Sequence, residues 1–152
     1  MIMLASRARS SAELRRLLVR KGEPADQVNV VIERLLASGL LDDALFARQF
    51  TRSKALGAGL SRRRLRQELA RKGVPRDVSD DAIDEVLAEE HIDDSTSIER
   101  VARKKLRTLS RFDIATKRRR LYAFLARRGY DVDDISRVLR DVMEDSAGEG
   151  QD

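Results

Sequence analysis

The sequence predicts an all-α protein, an elongated and slightly curved array of tandem three-helix repeats whose first repeat is truncated at its N-terminus. Three observations predict it. One basic phrase is written three times, as SSAELRRLLVRKGE (Ser10 to Glu23), LSRRRLRQELARKGV (Leu60 to Val74) and RRRLYAFLARRGY (Arg118 to Tyr130). Apolar residues recur at helical spacing in register with each copy. No alternating Val, Ile and Thr run of the kind that marks a strand occurs anywhere.

Aligned on Gly22, Gly73 and Gly129, the three copies match well beyond the phrase itself. Leu14, Leu65 and Leu121 precede the glycine by eight residues, and Leu18, Leu69 and Leu125 by four. Lys21, Lys72 and Arg128 stand immediately before it. After it come Ile32, Ile83 and Leu139, then Leu35, Val86 and Val142, then Leu36, Leu87 and Met143. Those offsets trace one face of a second helix. The glycine fits a left-handed position that closes the first of these two helices, with a cation in the last turn favourable to its dipole.

A further helix precedes the basic phrase. Asp42 to Leu56 carries Phe46, Ala47 and Phe50 on one face, with Asp42 or Asp43 as its N-cap. Asp93 to Leu109 carries Ile98, Val101, Ala102, Leu106 and Leu109, started by Asp94 or Ser95. Such a cap contributes about 1 kcal/mol. Before the first phrase only MIMLAS is left, one turn of the corresponding helix. The repeat unit is therefore a first, a basic and an acidic helix, at spacings of 51 and 56 residues. No helix has more than one apolar stripe, so neighbours must stack to bury it. The expected boundaries are 1–40 for the incomplete first repeat, 41–91 for the second and 92–145 for the third. Residues 146–152, polar and glycine-bearing, are expected to be a disordered tail.

Composition narrows the function. No cysteine excludes disulfides, thiol chemistry and Cys-based zinc sites. Aromatic residues are 4% of the chain with no Trp, against a base-stacking platform. No apolar run approaches a membrane span, and the opening residues lack a signal peptide's apolar region. The expectation is a cytoplasmic monomer without a membrane partner. A net charge of +5 and a pI near 10.0 point to an acidic partner.

The charges alternate in step with the helices. Arg100 to Arg128 holds twelve basic residues and one acid, whereas Asp77 to Glu99 holds ten acids and no Lys or Arg. Arg100, Arg103, Lys104, Arg107 and Arg111 fall on one helical stripe, opposite Ile98, Ala102 and Leu109. Arg48 and Arg52 form a shorter stripe, continued by Arg62, Arg63 and Arg66. Two readings stand: these faces neutralise acidic faces within the repeat, or they form a positive surface for a partner. The second is preferred, because stripes of one sign on stacked helices repel unless an anion lies on them. The same register produces an acidic ridge, Asp77, Asp80, Asp81, Asp84, Glu85 and Glu89, which favours a protein partner beside nucleic acid.

Catalytic parts are missing. His91, the single histidine, lies between acidic pairs at a helix boundary and reads as a surface loop residue. The Asp42-Asp43 and Asp93-Asp94 pairs read as caps before metal ligands. Gly57 to Gly59 lacks the residues of a phosphate loop and reads as a linker. Phe46, Phe50, Phe112, Phe124 and Tyr130 read as core, and Tyr122 as exposed. The expectation is a non-enzyme with no cofactor and no metal.

Gly39 to Val74, GLLDDALFARQFTRSKALGAGLSRRRLRQELARKGV, resembles the signature of the RecX family, bacterial modulators of the RecA recombinase. The resemblance rests on Leu41-Asp42-Asp43, Phe46-Ala47-Arg48, the linker Gly57 to Gly59, and Arg62 to Gly73 with Gln67-Glu68-Leu69. The opening Arg7 to Gly22 is also similar, and the likeness extends over roughly residues 4 to 143. Two departures stand out: MIMLAS supplies little of a first helix, and Tyr122, Ala123 and Phe124 replace polar residues of the second repeat. The resemblance implies tandem three-helix repeats. It further implies binding in the groove of the RecA–DNA filament, with inhibition of filament growth, ATP hydrolysis and strand exchange, and weaker electrostatic binding of single- and double-stranded DNA. Arg48, Arg52, Arg62, Arg63, Arg66, Arg100, Arg103, Lys104 and Arg107 are the expected contacts to DNA phosphate or acidic recombinase surface. The rivals are a sequence-nonspecific DNA-binding repeat protein without a recombinase partner, and a helical adaptor for another acidic protein.

Overall fold

The structure, a computed structural model, describes residues 8–148. The partial helix expected from MIMLAS lies outside them. The described residues form α1 (Ser11–Arg20), α2 (Ala25–Ala37), α3 (Asp43–Ser53), a π-helical turn (Lys54–Ala58), α4 (Arg62–Arg71), α5 (Arg76–Glu89), α6 (Asp94–Thr108), α7 (Ile114–Arg127) and α8 (Val132–Gly148). No strand occurs among them. The chain divides into two compact units, one built from residues up to 53 together with 66–86, the other from 54–65 together with 87 onward.

The basic helices α1, α4 and α7 end identically. Gly22, Gly73 and Gly129 take φ of +93°, +76° and +93°, the left-handed region that only glycine enters without strain. In each the glycine N–H bonds back to Val19, Ala70 or Ala126, and the next residue's N–H to Leu18, Leu69 or Leu125. This double bond pattern is the Schellman closure, and it uses carbonyls that a helix end otherwise leaves orphaned. The sequence alignment on these glycines therefore marks one repeated piece of backbone geometry.

Two of the glycines serve a second purpose. A Cβ on Gly73 would stand 2.3 Å from the Ala12 Cβ of α1. A Cβ on Gly129 would stand 2.5 Å from Arg64 Cβ and Ser61 Oγ at the start of α4. Each turn is thus pressed against the first residues of the preceding repeat's basic helix. Hydrogen bonds fasten the same contact. Ser10, the N-cap of α1, donates its hydroxyl to the Lys72 carbonyl, and Lys72 Nζ reaches Glu13 at 3.1 Å. Ser61 donates its N–H to the Arg128 carbonyl at 2.9 Å while its hydroxyl accepts from Arg64 N–H at 3.1 Å. Gly22 has nothing within 4 Å of its Cβ position.

The matched apolar positions form the cores. In the first unit Leu14, Val28, Ile32 and Leu41 are buried against Leu17, Leu18 and Leu35. In the second, Ile98, Ala102, Leu106, Leu121, Leu125, Ile135, Leu139 and Val142 make a larger cluster. Full burial of each large side chain contributes roughly 1.5–3 kcal/mol. At the last matched position Leu36 is 41% exposed, where Leu87 and Met143 are buried.

Several expectations change. The helix expected from Asp42 to Leu56 ends at Ser53 and widens into the π turn, so Gly57 and Ala58 are helical and not a plain linker. Asp42 caps α3, accepting Leu45 N–H at 3.0 Å. Asp43 instead accepts from Ser11 N–H and Oγ, at 2.8 and 2.6 Å, tying down the start of α1. The cap of α6 is Asp93, one residue before the expected Asp94 or Ser95. His91 is exposed at φ +53°, bonding back to Ala88 in the left-handed position that Gly39 occupies after α2. α8 continues to Gly148, so residues 146–148 of the expected tail are helical, and 149–152 lie outside the described residues.

The glycine geometry sets an order of sensitivities. Gly22→Ala is expected to cost about 1–2 kcal/mol from the left-handed backbone alone. Gly73→Ala and Gly129→Ala should each cost a further ~1–3 kcal/mol of overpacking against Ala12 or Ser61 and Arg64. Urea unfolding followed by far-UV circular dichroism measures the ranking, and equal losses at all three positions would contradict the close contacts.

Candidate binding interface

The expected contact residues fall into two groups with different partners. Arg48, Arg52 and Arg66 lie in the first unit; Arg62, Arg63, Arg100, Arg103, Lys104 and Arg107 lie in the second.

In the first unit the acidic ridge is the counter-ion. Arg66 Nε meets Asp80 Oδ1 at 2.6 Å, and Arg76 lies 3.7 Å from the other Asp80 oxygen. Arg48 reaches Glu85 at 4.0 Å, and Arg52 also has a partner. Neutralisation within the repeat therefore describes Arg48 and Arg66. At half-exposed positions such pairs are worth only about 0–1 kcal/mol each.

In the second unit α6 divides its charges. Arg103 is held by two carboxylates, Glu99 at 3.0 Å on its own helix and Asp145 of α8 at 2.7 Å. Arg100, Lys104 and Arg107 are exposed and make no ion pair among the described residues. Arg111 lies beyond the end of α6, so the helical stripe is shorter than its spacing suggested. Arg62 has a partner, while Arg63 is exposed and near enough to Asp131 to help hold its carboxyl ionised. Beside the unpaired residues stand cations not singled out from sequence. Lys105 and Arg128 lie over the Phe124 ring, at 5.0 and 4.6 Å from its centre. Arg128 carried a signal, since it aligns with Lys21 and Lys72. Lys105 carried none, because cation–aromatic pairing joins helices far apart in the chain.

Carboxylate caps fix where these helices begin. Asp93 accepts Thr96 N–H at 2.7 Å, Asp113 accepts Thr116 N–H at 3.3 Å, and Asp131 accepts Asp134 N–H at 3.0 Å, starting α6, α7 and α8. All three carboxyls are held below the ordinary aspartate value: Asp93 by the Thr96 N–H, Asp113 by its side-chain bond with Thr116, and Asp131 by the Asp134 N–H. Tyr130 is buried, and burial pushes its phenol up. Its hydroxyl lies 3.2 Å from Ser97 Oγ and donates to the Gly59 carbonyl at 2.8 Å.

No group of three His, Cys, Asp or Glu residues able to hold a metal occurs among the described residues. None of the helices they form is long and apolar enough to cross a membrane.

Comparison with known proteins turns on the repeats. Three family models match in order: the first three-helix domain of RecX over residues 2–35, the second over 42–83 and the third over 93–139. The chain belongs to the RecX family. It is 43% identical over 130 residues to the regulatory protein RecX of Mycobacterium avium strain 104, covering 84% of this chain and 73% of that one. It is 36% identical over 147 residues to the regulatory protein RecX of Amycolatopsis mediterranei strain U-32, covering 97% and 82%. The crystal structure of RecX from Lactobacillus salivarius superposes with a TM-score of 0.69 at 17% identity, over 92% of this chain and 89% of that one, and shows the shared fold. Both of those relatives are named as regulatory proteins.

The caps give a pH dependence of definite sign. A carboxyl depressed in the folded state stabilises above its unfolded value, and that contribution disappears as pH falls through the folded value. Stability of the second unit should therefore decline on acidification below the ordinary aspartate range, about pH 4. Asp93→Asn, Asp113→Asn and Asp131→Asn keep a capping oxygen. The triple variant should show a flatter acid limb in urea unfolding between about pH 5 and 3. An unchanged acid limb would contradict the cap assignment.

Proposed function

We propose that the chain is a non-enzymatic regulator that binds the RecA–DNA filament as a monomer and inhibits its growth, ATP hydrolysis and strand exchange. The observation that carries this reading is the trio Arg100, Lys104 and Arg107 on α6: exposed cations with no counter-ion among the described residues, in a member of a regulatory family. A like-charged stripe left unpaired is most easily kept where an external anion lies on it. Family membership and the three matched repeats support a recombinase filament as the source of that anion, offered by DNA phosphate or by acidic protein surface.

The mechanism is a shift of equilibrium. A ligand that grips one filament state more tightly than another favours the first by its differential affinity. If the gripped state is one that neither extends nor turns over, growth and hydrolysis both fall with no catalytic group contributed. Arg48 and Arg66, already bound to Glu85 and Asp80, would have to exchange those carboxylates for partner anions, so they contribute less than the α6 trio.

DNA binding without a recombinase partner is the rival reading, and the same trio would serve it. Titration into RecA hydrolysing ATP on single-stranded DNA separates the two. Inhibition is expected well below the amount of protein that saturates the DNA, and Arg100→Glu/Lys104→Glu/Arg107→Glu should raise the required concentration at least about tenfold, a loss of ~1.4 kcal/mol. Inhibition appearing only at DNA saturation would favour the rival, and no inhibition at all would favour an adaptor for another acidic protein.

A further inference from the structure

The basic and acidic helices of the third repeat leave between them a groove that an ion pair occupies in the second. There Arg66 of α4 meets Asp80 of α5 at 2.6 Å. Fifty-six residues on, the spacing that relates Gly73 to Gly129, the same two positions hold Tyr122 of α7 and Ser136 of α8. Neither side chain makes a hydrogen bond among the described residues. The groove has a volume of about 460 Å³ and is lined by Ala115, Arg118, Arg119 and Tyr122 of α7 with Ser136 and Leu139 of α8. All of these belong to the second unit.

The exchange alters the chemistry as well as the space. A guanidinium–carboxylate pair neutralises itself, whereas a phenol ring beside a hydroxyl leaves an apolar floor and no anion. No carboxylate lines the groove. Arg118 and Arg119 are exposed and form no ion pair among the described residues. Arg119 adds only its field to Asp113, whose carboxyl is held down first by Thr116. Asp134 on α8 is taken by Arg137. Exposed apolar residues continue the same helical stripes: Ile114, one turn before Arg118, is 67% exposed, and Val132, one turn before Ser136, is 61% exposed. In the first repeat the two positions hold Arg15 and Asn29, so the third copy alone sets an aromatic ring there.

We propose that this groove docks an acidic amphipathic segment of a partner protein, with aliphatic side chains on the Tyr122 floor and carboxylates on Arg118 and Arg119. The apolar floor and the unpaired cations together select that class. A carboxylate matches the fork of a guanidinium. A helix with apolar residues every three or four positions lays them into such a groove and keeps its acids at the rim. Nucleic acid suits the groove less well. Its backbone brings anions but no aliphatic group to cover the floor, and Tyr122 is the groove's single ring, too few for a stacking platform. The surface goes beyond the filament reading, since it uses none of the cations assigned there and asks only for a protein partner.

The test uses the whole chain and a fluorescein-labelled synthetic peptide of about 15 residues, long enough to form a helix. Its leucines lie at helical spacing on one face, with glutamates flanking them. Anisotropy gives the affinity, and amide resonances of the isotope-labelled chain give the site. Saturable binding is expected, with shifts at Arg118, Arg119, Tyr122 and Ser136. Tyr122→Arg/Ser136→Asp writes the second repeat's ion pair into the third without changing net charge, and should weaken binding at least about tenfold. Arg118→Ala/Arg119→Ala should weaken it about fivefold and flatten its salt dependence. Arg100→Ala/Lys104→Ala removes equal charge from α6 and should change it less than about twofold. A peptide with serine in place of leucine, which needs no variant of the chain, should bind at least about tenfold more weakly. No saturable binding, no effect of Tyr122→Arg/Ser136→Asp, equal losses in both alanine pairs, or full binding of the serine peptide would overturn the proposal. So would displacement of the peptide by an oligodeoxynucleotide at matched charge, which would mark nucleic acid as the occupant. Shifts of Tyr122 on dilution of the chain alone would overturn it too, marking a second copy. Failure of the peptide with RecA inhibition intact removes the groove and leaves the filament reading standing; the opposite pair of results removes the filament reading alone.

Discussion

The structure depends on a close contact between a glycine turn and a serine-capped helix start. A helix end leaves carbonyls without partners and a helix beginning leaves N–H groups without partners. Here the end of one repeat's basic helix is placed on the start of the preceding repeat's basic helix: the Arg128 carbonyl accepts the Ser61 N–H, so the two deficits meet, and the Lys72 carbonyl accepts the Ser10 hydroxyl. Only glycine permits this. At Gly73 and Gly129 a side chain would both strain the backbone and collide with the neighbouring helix. The seam therefore accounts for glycine at two of the three aligned positions, Gly73 and Gly129, and for how stacking can bury stripes too narrow to bury themselves.

The seam also positions charge. By ending α7 on the start of α4, the second contact places Arg128 beside α6 and the π turn, where Arg100, Lys104 and Lys105 already stand. The carboxylate caps Asp93 and Asp113 set the rotational start of α6 and α7, and hence which of their cations face outward. Two outcomes follow for like-charged residues. Those within reach of a carboxylate, such as Arg66 on Asp80 and Arg103 on Asp145, close into ion pairs. Those beyond reach remain exposed, and it is on them that binding is proposed to rest.

The helices and their order were legible in the sequence because a 3.6-residue period and a left-handed glycine are local signals. The matched leucines from Leu14 to Leu125 did lie inside, fully or in part. Helix starts were less legible: a run such as Asp93-Asp94-Ser95 offers three possible caps, and tertiary geometry selects the first. The π turn was illegible, since Lys54 to Ala58 has no composition that separates a widened helical turn from a glycine linker. The proposed binding surface was legible only as a stripe. Spacing told which cations share a face, but not that Asp145, forty-two residues from Arg103, would take one of them out of play. The family resemblance was carried by the middle repeat, the copy with the fullest set of polar and glycine positions.

The most direct measurement of the central claim is amide hydrogen exchange at Ser61. An N-cap amide ordinarily faces water and exchanges as a helix terminus does. If its N–H is given to the Arg128 carbonyl of the next repeat, Ser61 should exchange with protection close to that of core amides such as Leu125, and lose it in Gly129→Ala. Exchange at Ser61 as rapid as at an exposed amide without a hydrogen bond, with α4 and α7 themselves protected, would contradict the seam.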